Sequence, residues 1–308
     1  MEAENLVNGW VVRMQSGFYT VQTETGQITC QLRGRIKRER ASGDVICIGD
    51  RVTVLPLPDG SGRIEAIEPR ARALFRMDPR PKGVYRQLLL SNVDQVLLVF
   101  SCANPEPRLR MLDRFLVIAE KQAIPPIVVA NKVDLVGKKV AREIFSVYAD
   151  LGYGLIYTSA QSGLGLKELR AALDGRISGL AGPSGVGKSS LLNAIQPELG
   201  LAVREVSELT DKGKHTTVVR QMFPLTTGGY VADLPGLKSL ALWDTQPEEL
   251  DGYFPELRDL VPQCAYNNCT HTDEPGCAVV SAVEAGTVDY RRYESYVRMR
   301  YGGDAYGA

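Results

Sequence analysis

The stretch that decides the fold runs from Gly182 to Ser189 and reads GPSGVGKS. It matches the pattern G-x-x-x-x-G-K-[ST], whose glycines let backbone N–H groups wrap around phosphate oxygens without Cβ clashes. A β-type run at 176–181 precedes it, and a helical pattern at 188–195 follows it. Because the first N–H groups of a helix are unpaired, this arrangement makes an anion site. We predict a phosphate-binding loop at the end of a parallel strand.

Each position of this loop has a predicted role in holding a nucleotide. Lys188 would reach the β- and γ-phosphates, and the Ser189 hydroxyl would bind Mg²⁺. The alternative is a glycine-rich turn without a ligand, which the flanking strand and helix disfavour. The candidate nucleotide-binding residues are Gly182, Pro183, Ser184, Gly185, Val186, Gly187, Lys188, Ser189 and Ser190.

Outward from this loop, residues 92–240 alternate between β-type and helical patterns. Such alternation predicts a parallel sheet with helices on both faces. The expected strands are 95–100, 126–130, 154–158 and 176–181. The expected helices are 108–122, 138–149, 166–173 and 188–195.

The segment Asn131–Asp134 reads NKVD and directly follows the second expected strand. In N-K-x-D the carboxylate of Asp134 accepts two hydrogen bonds from N1–H and the exocyclic amine of guanine, a pair that adenine does not offer. Asn131 would fasten this loop to the phosphate loop, and the Lys132 stem would cover the base. Thr158-Ser159-Ala160 matches the loop whose backbone contacts guanine O6. The candidate guanine-binding residues are Asn131, Lys132, Val133, Asp134, Ser159 and Ala160.

A fourth motif, Asp233–Gly236, reads DLPG and follows the apolar run 230–232. In this D-x-x-G arrangement Asp233 binds Mg²⁺ and the Gly236 N–H meets the γ-phosphate. An ordinary GTPase carries the phosphate loop first, then D-x-x-G, then N-K-x-D. Here N-K-x-D comes first, so we predict a circular permutation that joins the old termini near 173–179, which is sterically cheap when those termini are close. The alternative is unrelated motifs and a coincidental NKVD.

The segments around Thr217 and Gly236 bear on the hydrolysis step. Leu237 stands where a Ras-like enzyme carries its water-orienting Gln, which predicts slow intrinsic hydrolysis. His215 is the internal candidate for orienting the water, although an exposed loop position or an rRNA contact are alternatives. We favour Thr217 over Thr216 as the switch threonine that binds Mg²⁺. The candidate catalytic residues are His215, Thr217, Asp233 and Gly236.

Residues 9–67 read as five short β-type runs separated by turns. Such spacing predicts a small closed barrel, and the OB-fold is the leading candidate. The loop 33–40 concentrates five cations, which suits contact with a phosphate backbone. The alternative is a solvated loop on a barrel that binds protein. The candidate RNA-binding residues are Arg33, Arg35, Lys37, Arg38 and Arg40.

Three cysteines and one histidine cluster near the C-terminus, at Cys264, Cys269, His271 and Cys277. Four such ligands suit tetrahedral Zn²⁺ without an open position, which predicts a structural site. The alternative is free or disulfide-bonded cysteines, which a cytoplasmic location disfavours. The remaining cysteines lie in strand-like contexts and are expected to be buried. They are Cys30, Cys47 and Cys102.

Composition sets the broad class. The 308 residues carry 36 basic and 36 acidic side chains, which excludes a uniformly basic nucleic-acid binder. Residues 241–308 hold 5 basic and 12 acidic side chains, a net charge of −7 (5 − 12). Without an apolar segment long enough to span a bilayer or a signal-peptide pattern, we expect a cytoplasmic protein without a membrane anchor. We expect three domains, at 1–75, 80–241 and 242–308.

The order of motifs, together with Lys212–Thr217 (KGKHTT), resembles the circularly permuted GTPases of the RsgA family, also called YjeQ or YloQ. The resemblance covers nearly the whole chain. It implies a multidomain fold with an N-terminal OB-fold β-barrel, a central circularly permuted α/β P-loop GTPase domain and a C-terminal, mostly helical zinc-binding domain.

The resemblance also implies GTP hydrolysis stimulated by the small ribosomal subunit, rRNA binding and a role in late maturation of that subunit. The expected cofactors are one structural Zn²⁺, and Mg²⁺ with GTP. The expected partners are the small subunit with its rRNA, and GTP or GDP, with the chain a monomer. One alternative is a GTP-dependent RNA- or ribosome-binding module with negligible turnover. A P-loop ATPase or kinase is disfavoured by Asp134.

Overall fold

The structure is a computed structural model that describes residues 5–34, 36, 45–77, 86–201, 220–234 and 245–302. Several predicted functional residues lie outside the described residues. They are Arg35, Lys37, Arg38, Arg40, His215, Thr216, Thr217, Gly236 and Leu237.

The N-terminal part is a closed five-stranded barrel. Its strands are β1 (Val7–Gln15), β2 (Phe18–Thr23), β3 (Gly26–Leu32), β4 (Arg51–Pro56) and β5 (Gly62–Ile67). They follow the order β1-β2-β3-β5-β4, and an antiparallel pairing of β1 with β4 closes the ring. Only β3 and β5 run parallel among these pairs. The predicted OB-like barrel is confirmed.

Alternation of side chains explains why these segments form a barrel. In β4, Val52 and Val54 are fully buried, whereas Arg51, the first residue of the strand, is exposed and Thr53 is half-buried. Successive side chains of a strand point to opposite faces, so one face fills the barrel interior. Val11, Val21 and Ile64 complete that interior from the neighbouring strands.

A two-stranded hairpin follows the barrel, made of β6 (Ala73–Met77) and β7 (Arg86–Ser91). The hairpin touches both neighbours. The Ser91 N–H donates to the Ile48 carbonyl on the barrel side, and the Phe75 N–H donates to Gln122 Oε1 on the other. We did not predict this hairpin, and it crosses the predicted domain boundary between residues 75 and 80.

The central part is an α/β sheet. Its strands are β8 (Gln95–Ser101), β9 (Pro126–Asn131), β10 (Gly154–Tyr157), β11 (Ile177–Ala181), β12 (Arg220–Pro224) and β13 (Tyr230–Asp233). Its helices are α1 (Leu109–Lys121), α2 (Gly137–Asp150), α3 (Leu166–Leu173) and α4 (Lys188–Ile195). The order β10-β9-β8-β11-β13 is parallel throughout, and every residue of β8 and β11 is buried. The predicted parallel sheet is confirmed.

Strand β12 connects the two sheets. It pairs antiparallel with β13 and also antiparallel with β1 of the barrel. The barrel and the α/β sheet therefore form one hydrogen-bonded order of eleven strands. We predicted neither β12 nor this junction.

The C-terminal part consists of short helices. They are a 3-10 helix (Pro247–Tyr253), α5 (Pro255–Arg258), a second 3-10 helix (Val261–Gln263), α6 (Ala278–Glu284) and α7 (Tyr290–Arg300). Residues 247–258 do not form one continuous helix, because the chain is extended at Phe254, with φ −107° and ψ 103°. The reason is Pro255, because a residue before proline is driven out of the helical region.

A buried ion network fastens α7 to the α/β unit. The Arg292 guanidinium donates to Asp113 Oδ1 of α1 at 2.6 Å and to Glu256 Oε1 at 2.7 Å. Ser295 and Tyr148 also donate to the Asp113 carboxylate. Arg292 and Asp113 are each 2% exposed, so this contact is solvent-free.

Among the described residues, no helix combines the length and the apolar character that crossing a membrane requires.

Candidate functional site

The phosphate loop, residues 182–187, connects β11 to α4 as predicted. Its glycines are required by space as well as by backbone conformation. A Cβ at Gly182 would lie 2.1 Å from the Val99 carbonyl oxygen, and one at Gly187 would lie 2.5 Å from Asn131 Nδ2. Gly182 and Gly187 also have positive φ values of 146° and 94°. A side chain at either position would therefore displace the loop from its neighbours.

Lys188 begins α4, and its ammonium group turns back over the loop. The Nζ atom donates to the carbonyl oxygens of Gly182 and Pro183, both at 2.9 Å. Ser189 and Ser190 follow in the first turn of α4. A positive charge and unpaired helix N–H groups thus face the same concave loop, which is the arrangement that binds phosphate.

The NKVD loop lies against the phosphate loop. Asn131, 1% exposed, donates from Nδ2 to the Val186 carbonyl oxygen at 2.8 Å. Lys132 donates from Nζ to the Gly185 carbonyl oxygen at 2.7 Å and also to the Asn104 carbonyl oxygen. Two motifs that are some fifty residues apart in sequence are therefore adjacent in space. The expected fastening of one loop to the other by Asn131 is present in the structure.

The Thr158–Ala160 loop joins the same assembly. Thr158 Oγ1 lies 3.1 Å from Asn131 Oδ1, and the Val133 N–H donates to the Thr158 carbonyl oxygen at 3.2 Å. Ser159 is buried and its Oγ atom accepts from the Ser162 N–H at 3.0 Å. Asp134 follows in a 3-10 turn and its side chain is exposed. A carboxylate is thus presented to solvent at the rim formed by the three loops.

Asp233 ends β13 beside β11, where it is the register partner of Leu180. Within the described part of the chain, its buried Oδ1 atom has no hydrogen-bond partner. Burial raises the pKa of Asp233, while the nearby Lys188 ammonium lowers it. A buried carboxylate oxygen without a donor suits a cation or a water molecule bound to one. The Asp233 carboxylate therefore fits a hard divalent ion near Lys188.

The four C-terminal ligand candidates converge on one point. One ligand atom from each of Cys264, Cys269, His271 and Cys277 lies within 4.8 Å of all the others. The Sγ atoms of Cys264 and Cys277 each lie 3.5 Å from His271 Nδ1 and 4.0 Å from one another. All six cysteines are free, so the disulfide alternative is wrong. The group has the composition and compactness of a metal site.

The cluster is supported from outside by Asp251. Its Oδ2 atom lies 3.2 Å from His271 Nε2, on the side of the ring that faces away from the cysteines. A carboxylate behind a histidine fixes the tautomer in which Nδ1 is free to bind a metal. Cys277 also caps α6, because its Sγ accepts from the Val280 N–H at 3.4 Å.

Sequence reasoning missed two supporting residues, Asn104 and Asp251, and the contact that the Thr158 hydroxyl makes. Asn104 contributes only a backbone carbonyl, which carries no sequence signal. Thr158 directly precedes the Ser-Ala pair, and its buried hydroxyl becomes meaningful only when Asn131 is known to be adjacent. Asp251 lies twenty residues before His271. Its proximity depends on the path of the intervening chain.

Comparison with known proteins agrees with this geometry. The sequence profile of the RsgA N-terminal domain matches residues 8–64, and that of the RsgA GTPase matches residues 67–243. A relative from Gemmatimonas aurantiaca, named small ribosomal subunit biogenesis GTPase RsgA, is 44% identical over 296 residues, which cover 95% of this chain and 96% of that protein. A relative of the same name from Thermotoga maritima is 43% identical over 298 residues and covers 95% of each chain.

Two solved structures are similar over almost the full length. YjeQ from Thermotoga maritima is 40% identical, with a TM-score of 0.78 over 98% of this chain and 99% of that one. YloQ, described as a circularly permuted GTPase, is 32% identical, with a TM-score of 0.72 over 98% of this chain and 96% of that one. The fold of this chain thus has full-length counterparts, one of which is described as a circularly permuted GTPase. This chain belongs to the RsgA family of circularly permuted GTPases and is a GTP hydrolase.

Proposed function

We propose that this GTPase acts in maturation of the small ribosomal subunit, binds its rRNA, and is stimulated by the subunit. The observation that carries the proposal is full-length similarity to relatives named for small-subunit biogenesis, and the contact between the NKVD loop and the phosphate loop supports it. The partners that follow are the small subunit with its rRNA, and GTP or GDP. A cytoplasmic location and a monomeric chain belong to the same proposal.

We assign the nucleotide contacts as follows. Asp134 accepts from guanine, and backbone groups near Ser159 and Ala160 meet its O6. Residues 182–190 hold the phosphates, with Lys188 at the β/γ position. Ser189, Thr217 and Asp233 would hold Mg²⁺, which would supply positive charge to neutralise the phosphates. The buried, unpartnered Oδ1 of Asp233 supports this assignment.

The hydrolysis step needs a group that orients water. Gly236 supplies an N–H to the γ-phosphate, and His215 is our candidate for the orienting group, since Leu237 cannot hydrogen-bond water. Both belong to segments outside the described residues, so the sequence alone supports their roles. We therefore expect slow GTP hydrolysis without the ribosomal subunit, because Leu237 cannot orient the water.

RNA contact is assigned to the barrel. The side chain of Arg33 is 54% exposed and pairs with Glu65 on the barrel surface. Arg35, Lys37, Arg38 and Arg40 continue this basic loop in sequence. Five cations within the eight residues that follow β3 in sequence suit a phosphate backbone, and such binding would weaken steeply as salt is raised. We propose three functional units at 1–75, 80–241 and 242–308, with the β6–β7 hairpin connecting the first two.

We further propose that the C-terminal cluster holds one structural Zn²⁺. Zn–S bonds of about 2.3 Å separate tetrahedral sulfur ligands by about 3.8 Å. The 4.0 Å between Cys264 and Cys277 is close to that separation. Four protein ligands leave no open position for a substrate, so the ion would stabilise the fold and take no part in hydrolysis.

The zinc assignment predicts about one zinc atom per purified chain, as expected for a closed four-ligand site. Cys277→Ser is expected to lose zinc and to destabilise α6 and α7, because metal binding supplies folding free energy. Cys30→Ser is the matched control, since Cys30 is a buried barrel cysteine. Elemental analysis of both variants is the measurement. A Cys277→Ser protein with full zinc content would contradict the assignment.

The proposed function is tested by single-turnover GTP hydrolysis with and without purified small subunits, with large subunits as the control. We expect small subunits, but not large subunits, to accelerate hydrolysis by about 10-fold or more. The free protein has Leu237 in place of a water-orienting glutamine, so the barrier to hydrolysis is high without the subunit. Equal rates in all three conditions would refute the stimulation. That result would favour a GTP-dependent binding module.

A further inference from the structure

The described residues contain a direct structural route from the barrel to the Asp233 end of the nucleotide site. Strand β12 lies between barrel strand β1 and strand β13, which ends in Asp233. On one side, Arg13 pairs with Gln221 and Met14 with Arg220. On the other, Met222 pairs with Ala232. A five-residue strand is therefore shared by the two domains.

The two registers align one row of residues across the sheet. The Met222–Ala232 pair is antiparallel, so the next positions, Gln221 and Asp233, lie opposite one another. Gln221 is also the partner of Arg13, and Asp233 is the partner of Leu180. A single row thus runs from the barrel through β12 to Asp233 and on to β11, which leads into the phosphate loop.

One side chain fixes β12 to a third element. The Arg220 guanidinium donates from its Nη1 atom to the Leu88 carbonyl oxygen of β7 at 2.9 Å. The same carbonyl oxygen accepts from Cys47 Sγ of the barrel side at 3.6 Å. The Arg220 side chain therefore connects β12 to the hairpin and to the barrel through one carbonyl oxygen. The backbone of Arg220 pairs with Met14 of β1.

We propose that Arg220 is a positioning residue for GTP hydrolysis, which couples the barrel to Asp233 through β12. When the barrel is displaced by a bound partner, the anchored strand moves with it and shifts the neighbouring end of β13. The inference rests on the proposed role of Asp233 at Mg²⁺. In this proposal, strand β12 is the element that transmits a change at the barrel to Asp233 in the nucleotide site.

Coupling between two sites is reciprocal, so it is measurable without a ribosomal particle. Mg²⁺ with the non-hydrolysable analogue guanylyl imidodiphosphate should slow amide exchange in β1, at residues 13 and 14, relative to nucleotide-free protein. We expect a change of about fivefold or more, the lower end of ordinary allosteric coupling. Hydrogen exchange resolved by mass spectrometry, on the full chain, is the measurement.

The variant is Arg220→Met, which keeps the length of the side chain and removes its donors. It should abolish the nucleotide effect on β1, and Arg220→Lys should restore part of it because one donor remains. The matched control is Arg176→Met. Arg176, which directly precedes β11, donates a comparable 2.8 Å hydrogen bond to Gln95 Oε1 of β8, away from the pairing of β12 with β1.

Three results decide the matter. Nucleotide protection of residues 182–189 without any effect on β1 would overturn this inference alone. An Arg220→Met protein that retains the β1 response would also overturn it. Failure of the analogue to protect residues 182–189 would refute the proposed nucleotide site, and this inference would fall with it.

Discussion

Lys188→Ala is expected to lower single-turnover GTP hydrolysis by about 10²–10³-fold, the usual effect of removing one group that stabilises charge in the transition state. The physical reason is position. The Lys188 ammonium lies over the phosphate loop, 2.9 Å from two of its carbonyl oxygens, and so places a positive charge where the β- and γ-phosphates would bind. Hydrolysis at saturating GTP and Mg²⁺ is the measurement.

Lys167→Ala provides the control, because Lys167 is an exposed lysine of α3 outside the loop. It should hydrolyse GTP at the wild-type rate. If Lys188→Ala matched the control, the loop would not hold the reacting phosphates. The assignment of residues 182–190 would then have to be abandoned.

The second large effect is structural. Arg292→Met should destabilise the C-terminal helices by about 3–5 kcal/mol, because removing one partner of a buried ion pair leaves an uncompensated charge. Here two carboxylates lose their partner, those of Asp113 and Glu256. The Arg292 guanidinium also lies 4.6 Å from the Phe254 ring centroid, so a cation–π contact is lost as well.

The measurement is native-state hydrogen exchange of the α7 amides, which reports the local free energy of opening. Arg298→Met is the matched control on the same helix. Arg298 pairs with Glu294 at the surface, where such a pair contributes only about 0–1 kcal/mol. Similar losses in the two variants would show that the buried network does not hold α7 to α1.

The sequence predicted the structure correctly where a motif or pattern determines the local backbone around it. The phosphate loop predicts a strand before it and a helix after it, and the structure has β11 and α4 at those places. The barrel was predictable because alternation in segments such as β4 identifies buried and exposed faces. The Cys/His cluster was predictable as a group because its four ligands lie within fourteen residues.

The contacts between units were not predictable, for physical reasons. Strand β12 is five residues long and joins two sheets, and its pairing with β1 depends on a partner some two hundred residues away. Arg292 is buried and bonded to Asp113 and Glu256, although it lies in a polar, charged stretch of sequence. A single sequence does not distinguish a buried arginine from an exposed one, because the pairing residues lie on other elements.

The central claim is that loops in permuted order meet on one guanine nucleotide, and Asp134→Asn tests it most directly. Because an amide cannot accept both guanine donors, GDP affinity should fall by about 10²-fold or more, while XDP affinity should rise to replace it. Asp150→Asn, at the exposed end of α2, should leave both affinities unchanged. Equilibrium binding of GDP and XDP to the three proteins is the measurement. An Asp134→Asn protein that still preferred GDP would contradict the account.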